Sequence, residues 1–275
     1  MKFLTLFNYL LCIAVSVMLS SCGTPANVDD TLSIADSIAV VQKEKNDKVQ
    51  KIFSSIQSES ETTKMLNNAG AKYSSKYLNP VENTTKYSSV KAKALNLGVY
   101  GLDLGVTNIF DQTQESMLYL RCTNKMASSL GISGAFDENM SSRIDANSDN
   151  KDSLLSIITD SYKSADNYLQ ENGQAGVSSL MVAGGWIEGM YIAIQIANST
   201  NNDVIINKIV EEKVTLENLI SLLESYKKET DGVQDILTDL IGVKMIYDSA
   251  PEKFTTEQFK QLSDKITEVR TKIIQ

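Results

Sequence analysis

The chain has 275 residues, 42% of them hydrophobic and 22% charged, an ordinary globular composition. It contains no histidine, which excludes any mechanism that needs an imidazole base, nucleophile or metal ligand. Three cysteines exclude a disulfide scaffold, and a net charge of −8 argues against non-specific nucleic-acid binding.

At the amino terminus Lys2 precedes an apolar run from Phe3 to Leu19. The run is slightly short for a membrane span and ends in small residues, as a cleavage site should. Its end, Leu19-Ser20-Ser21-Cys22-Gly23, resembles a bacterial lipobox. The resemblance implies cleavage before Cys22, a diacylglyceryl thioether on its sulfur and an acylated new amino terminus. A plain signal peptide and an uncleaved anchor are the alternatives. Each acyl CH₂ buried in the bilayer would contribute about 0.8 kcal/mol to membrane attachment. By analogy with lipoprotein sorting in Gram-negative bacteria, Gly23 in place of aspartate after the cysteine and the uncharged stretch Gly23–Val28 lead to the expectation of a periplasm-facing position on the outer membrane. The expected organisation is a signal peptide over 1–21, a lipidated tether over 22–30 and a helical domain over 31–275, with a weak boundary near 146–152. Cys122 is then the one free thiol of the mature chain and is expected to be buried and inert.

Helical spacing dominates the remainder, with few period-two segments and few hairpin signals. Two or three helices are expected between 31 and 78, and another over about 86–109. Asp111 is expected to cap the next, which ends at Gly131, and a short helix follows near 136–145. Asp152-Ser153 opens a helix that stops at Asn172-Gly173. The most apolar mature segment is 175–198. Asp203 is expected to cap one long helix from Ile205 to Tyr226, and Thr230-Asp231 opens another that ends near Ser249. Phe259, Leu262, Ile266, Val269 and Ile273 step by three and four, behind a Thr255/Gln258 capping box, and predict a helix over 256–274. The fold class is all-α: a bundle of about eight to ten helices, as one domain or two abutting subdomains.

Two helices carry internal glycines, Leu97-Gly98-Val99-Tyr100-Gly101-Leu102-Asp103-Leu104-Gly105 and Ala183-Gly184-Gly185-Trp186-Ile187-Glu188-Gly189-Met190-Tyr191. A helical glycine costs roughly 1 kcal/mol against alanine, so a compensating close approach is expected at Gly101/Gly105 and Gly185/Gly189. On a helical wheel Asp103 lies nearly opposite its glycines, whereas Glu188 lies near the glycine face. Either carboxylate could serve as a general acid or base, or could equally cap a neighbouring helix. Trp186, the only tryptophan, could stack on a ligand or fill the core. A ligand pocket, if present, is expected to use Tyr100, Trp186, Glu188 and Tyr191. Asp145, Asn147 and Asp149 begin like a calcium loop, but Asn150 replaces its glycine and Ser156 its closing glutamate, so no metal is expected. No catalytic residue and no cofactor are assigned.

Leu78-Asn79-Pro80, the segment Lys93–Leu104, Gln114-Glu115-Ser116-Met117-Leu118-Tyr119-Leu120 and Gly184–Tyr191 together resemble uncharacterised lipoproteins of Bacteroidetes-type bacteria. The resemblance covers residues 70–200 and implies a helical secreted domain on a lipid anchor, with no activity to carry over. The expected function is therefore a non-enzymatic, lipid-anchored envelope module. It binds or scaffolds a protein partner, or alternatively binds a small molecule near the glycine-bearing helices.

Overall fold

A computed structural model describes residues 65–66, 68–134, 140–147, 151–250 and 252–275, together with Lys43 and Asp47. The signal segment, Cys22, the tether and the helices expected before residue 65 lie outside the described residues, as do positions 148–150 of the calcium-like loop. Packing divides the chain into Met1–Glu44 and Lys45–Gln275, and all elements below belong to the second unit. The described residues hold nine α-helices and no strand.

The first helix, α1 (Val90–Ile109), starts where the Ser89 hydroxyl accepts the Ala92 N–H at 3.1 Å. It begins later than periodicity suggests because Val81–Thr85 forms a 3₁₀ turn ahead of it. In α2 (Thr113–Ser129) the expected cap fails. Asp111 sits in a left-handed conformation at φ 59°, and Gln112 occupies the cap position with no side-chain bond. After α3 (Met140–Ala146) and α4 (Lys151–Glu171), Gly173 at φ 70° turns the chain, as its sequence position suggests.

The central element is α5 (Ala175–Thr200). It is long and apolar enough to cross a membrane by length and composition, but most of it is buried inside the fold. A helix apolar on all sides needs neighbours on all sides, and α1, α4, α6, α7, α8 and α9 all pack on it.

The long helix expected after Asp203 is two helices, α6 (Asp203–Glu211) and α7 (Lys213–Glu224). Asn202, not Asp203, caps the first, its side-chain oxygen accepting the Val204 N–H at 2.9 Å. Glu212 between them keeps α-region dihedrals (φ −66°, ψ −6°), so the interruption is a kink. Gly232 at φ 84° leads into α8 (Val233–Asp248). The expected capping box at Thr255/Gln258 is present and opens α9 (Thr256–Ile274).

Neighbouring helices α1 and α5 run in the same sense, because Leu95 meets Gly184 and Leu102 meets Gly189. Parallel neighbours cannot be joined by a tight turn, and α2–α4 supply the crossover. The helix α9 runs antiparallel to α5, with Arg270 at Glu188 and Ser263 at Asn198.

Candidate functional site

Contact between α1 and α5 is made backbone to backbone. A Cβ on Gly98 would collide with the Met181 carbonyl, and one on Gly184 with the Leu95 carbonyl. Both neighbours are main-chain atoms and cannot swing aside. The tightest main-chain approach is therefore at Gly98, which meets both Met181 and the Gly185 N–H, and at Gly184; of the pairs that spacing suggested, Gly185 shares in it and Gly189 does not. A Cβ on Gly185 would sit 3.5 Å from the Gly98 carbonyl, and one on Gly189 would sit 3.4 Å from Leu102, both ordinary contacts. Gly101 has another purpose. It leaves room for the Tyr162 ring, whose hydroxyl donates to the Leu97 carbonyl at 2.6 Å.

One side of the pair borders a half-open cavity of about 560 Å³. Its floor is the glycine edge: Gly98, Gly101, Gly105, Gly185 and Gly189. Its walls are apolar, from Leu102, Val106 and Ile109 of α1 and Phe110 just after it, Ile158 and Tyr162 of α4, Trp186 and Met190 of α5, and Ile205 and Ile209 of α6. Among the described residues, charged side chains enter the lining only from α6 and the α6–α7 junction, as Lys208, Glu211 and Glu212. Trp186 is almost buried, and its indole N–H donates to Glu212 Oε2 at 3.1 Å. That bond fixes the ring in the wall.

The opposite face of the same helix pair holds the carboxylates. Glu188 is fully buried and forms a two-point pair with Arg270 of α9, Nε to Oε2 and Nη2 to Oε1, both at 2.7 Å. Arg270 also donates to the Tyr77 carbonyl at 2.9 Å and lies 4.1 Å above the centre of the Tyr191 ring. Asp103 is fully buried beside this pair. One of its oxygens accepts the Asn79 N–H at 3.0 Å, while Oδ1 has no donor in hydrogen-bond range.

Burial first, and the Glu188 charge second, hold the Asp103 carboxyl well above the usual range. Protonated Asp103 can donate to Glu188, which supplies the missing bond. Burial also pushes Glu188 upward, but the Arg270 hydrogen bonds and charge oppose it. The proton of the pair therefore sits on Asp103, and the cluster of Asp103, Glu188 and Arg270 is neutral overall.

Asparagines extend this cluster into a strap. Asn79 Nδ2 donates to Tyr87 Oη at 3.0 Å and to Asn96 Oδ1 at 3.1 Å, and its carbonyl accepts from Tyr119 at 3.2 Å. Asn96 in turn donates to the Ile273 carbonyl at 2.7 Å. Tyr100 donates to the Pro80 carbonyl at 2.9 Å. A buried irregular segment must satisfy its main-chain groups with side chains, and these residues do so.

The four residues expected to share a pocket are thus divided. Trp186 lines the cavity. Tyr100 and Glu188 are fully buried on the far side of the helices, and Tyr191 stacks on Arg270. Glu188 does not accompany the glycine edge, because an offset of one residue from Gly189 turns it about 100° around the helix. Asp103 lies opposite its glycines, as the wheel indicates. Cys122 is buried, and burial pushes its thiol up to about 11. No cluster able to hold a metal ion occurs among the described residues.

Sequence reasoning missed Arg270, although its signal was present. Arg270 is four residues after Ile266 and three before Ile273, on the buried stripe of α9. It also missed the α4 and α6 walls, for which the sequence carries no comparable signal.

No protein-family model matches the chain, and neither a curated protein nor a solved structure matches it.

Proposed function

We propose that the chain is a lipid-anchored outer-membrane protein, facing the periplasm, whose helical domain binds an apolar small molecule between α1, α4, α5 and α6. Anchoring rests on the order of Lys2, the apolar run and the box ending at Cys22. Binding rests on one observation, the half-open cavity of about 560 Å³ with its apolar walls. That volume lies within the range of roughly 300–1,000 Å³ typical of small-molecule sites. Apolar walls favour occupants by burial of apolar area, and a wall of glycine and aliphatic side chains offers few groups to orient a polar substrate. The domain acts as a binder, not an enzyme. The carboxyls whose proton affinity burial raises, Asp103, Asp166 and Glu188, all lie outside the cavity lining.

The test uses the full chain in phosphatidylcholine vesicles, melted with increasing octanol. An occupant that binds only the folded state raises Tm with concentration. A Tm that falls or stays level throughout contradicts the proposal. Anchoring is tested separately: Cys22→Ser should end incorporation of labelled palmitate, and continued labelling would refute the lipobox assignment.

A second reading, a protein partner, is favoured by Val214 on α7 and Met245 on α8, which are 65% and 68% exposed. Cross-linking in the native membrane should then capture one dominant protein, lost in Met245→Lys. Unchanged capture would remove this face from consideration.

A further inference from the structure

The cavity mouth has an unbalanced charge. Three charged side chains reach the lining, and two of them cancel: Lys208 Nζ pairs with Glu211 Oε2 at 2.7 Å. Glu212 is different. Its contact is the Trp186 indole, a neutral donor, and no cation pairs with it among the described residues. The adjacent Lys213 is turned to Asp248 at 2.9 Å. Glu212 is held in place from both sides, by the kink between α6 and α7 and by the indole bond, so its carboxylate is a fixed negative group at the edge of an apolar space.

We infer that the cavity binds a single-chain amphiphile with a cationic ammonium head, the alkyl chain lying along the glycine edge and the head at Glu212. This rests on the apolar-ligand reading above and adds the head group. A methylene takes up about the share of liquid volume of one water, about 30 Å³, so a cavity of about 560 Å³ has room for roughly 19 methylenes, more than a single octyl chain needs. The charge complement follows from the uncancelled carboxylate, since a cation there forms a charge-assisted hydrogen bond while an anion is repelled. A neutral head gains neither.

Trp186 is the only tryptophan and lies in the cavity wall, so it reports occupancy directly. The probes are ω-bromo-octylammonium, ω-bromo-octanol and ω-bromo-octanoate, added below micellar concentration to the full chain in phosphatidylcholine vesicles. Bromine quenches an indole on contact. The ammonium probe should half-quench Trp186 at a concentration roughly five- to tenfold lower than the alcohol, with the octanoate weakest. Glu212→Gln should bring the three probes together while leaving quenching by the alcohol in place. Equal quenching by all three in the wild-type chain, or an ammonium preference that survives Glu212→Gln, overturns the head-group assignment and leaves apolar binding standing. Quenching by none of the three overturns both.

Discussion

The two faces of the α1–α5 pair are built from neighbouring residues and have opposite characters. One face carries Asp103, Glu188 and, from α9, Arg270, all buried and tied to the Asn79 strap. The other carries Gly101, Gly105, Gly185 and Gly189 and lines the cavity. Among the described residues, polar groups are concentrated on the closed face and apolar ones line the cavity. The arrangement teaches that the buried charges of this helix pair serve to hold the fold, whereas the cavity proposed to take a ligand has a glycine floor and apolar walls.

The largest effect should come from breaking the closed face. Arg270→Met leaves Glu188 buried without its cation and should cost about 3–5 kcal/mol of unfolding free energy. Adding Glu188→Gln should restore part of it. A loss under about 1 kcal/mol in denaturant titration would mean that the pair is far less important to the fold than its geometry implies. Next are the glycines, which sharpen the contrast within single helices. Gly98→Ala and Gly184→Ala force main-chain atoms apart and should each cost about 1–3 kcal/mol or more. Gly189→Ala meets only ordinary contacts and gains helix propensity, so it should be neutral or stabilising by up to about 1 kcal/mol. Equal losses at all three positions would erase the distinction between glycines pressed against main-chain atoms and glycines that meet only side chains.

A smaller effect concerns pH. Asp103 binds its proton more tightly in the fold than in the unfolded chain, so the folded state holds that proton to higher pH. Its contribution to stability is complete below the ordinary carboxylate range and is lost as pH rises toward the folded-state value. Asp103→Asn keeps an acceptor for the Asn79 N–H and a donor for Glu188. It should flatten this decline, with melting temperatures close to wild type in acid and higher in mild alkali. A steeper decline in the variant would place the proton elsewhere.

Much of this fold was legible beforehand, for reasons that particular residues make plain. The bounds of α9 follow from a capping box and an unbroken apolar stripe, both local features. The α6–α7 kink was not legible because Glu211-Glu212-Lys213 contains no glycine or proline, and the dihedrals at Glu212 stay helical. Asp111 and Asp203 look like caps, but their neighbours Gln112 and Asn202 take those places, a shift of one residue that composition does not resolve. The glycines announced a close approach without saying which of them touch, since Gly98 and Gly184 differ from Gly101 and Gly189 only in register. Trp186 stood out in the sequence and lines the cavity, but the cavity itself was not legible. Empty space depends on how α4 and α6 meet α1 and α5, which no single segment encodes. The pairing of Asp103 with Glu188 has the same origin, because the two are 85 residues apart in sequence and meet only when α1 and α5 lie in parallel register.

The claim that the open face binds and the closed face holds is tested most directly by Gly189→Leu. This substitution pushes a side chain into the cavity from its floor, where only Leu102 lies within ordinary contact of the first added carbon. The measurement is Trp186 quenching by ω-bromo-octanol, with the melting temperature of the same sample. Loss of quenching with melting close to wild type is the predicted result. Quenching that persists at wild-type concentrations, in a variant that still melts normally, would contradict it.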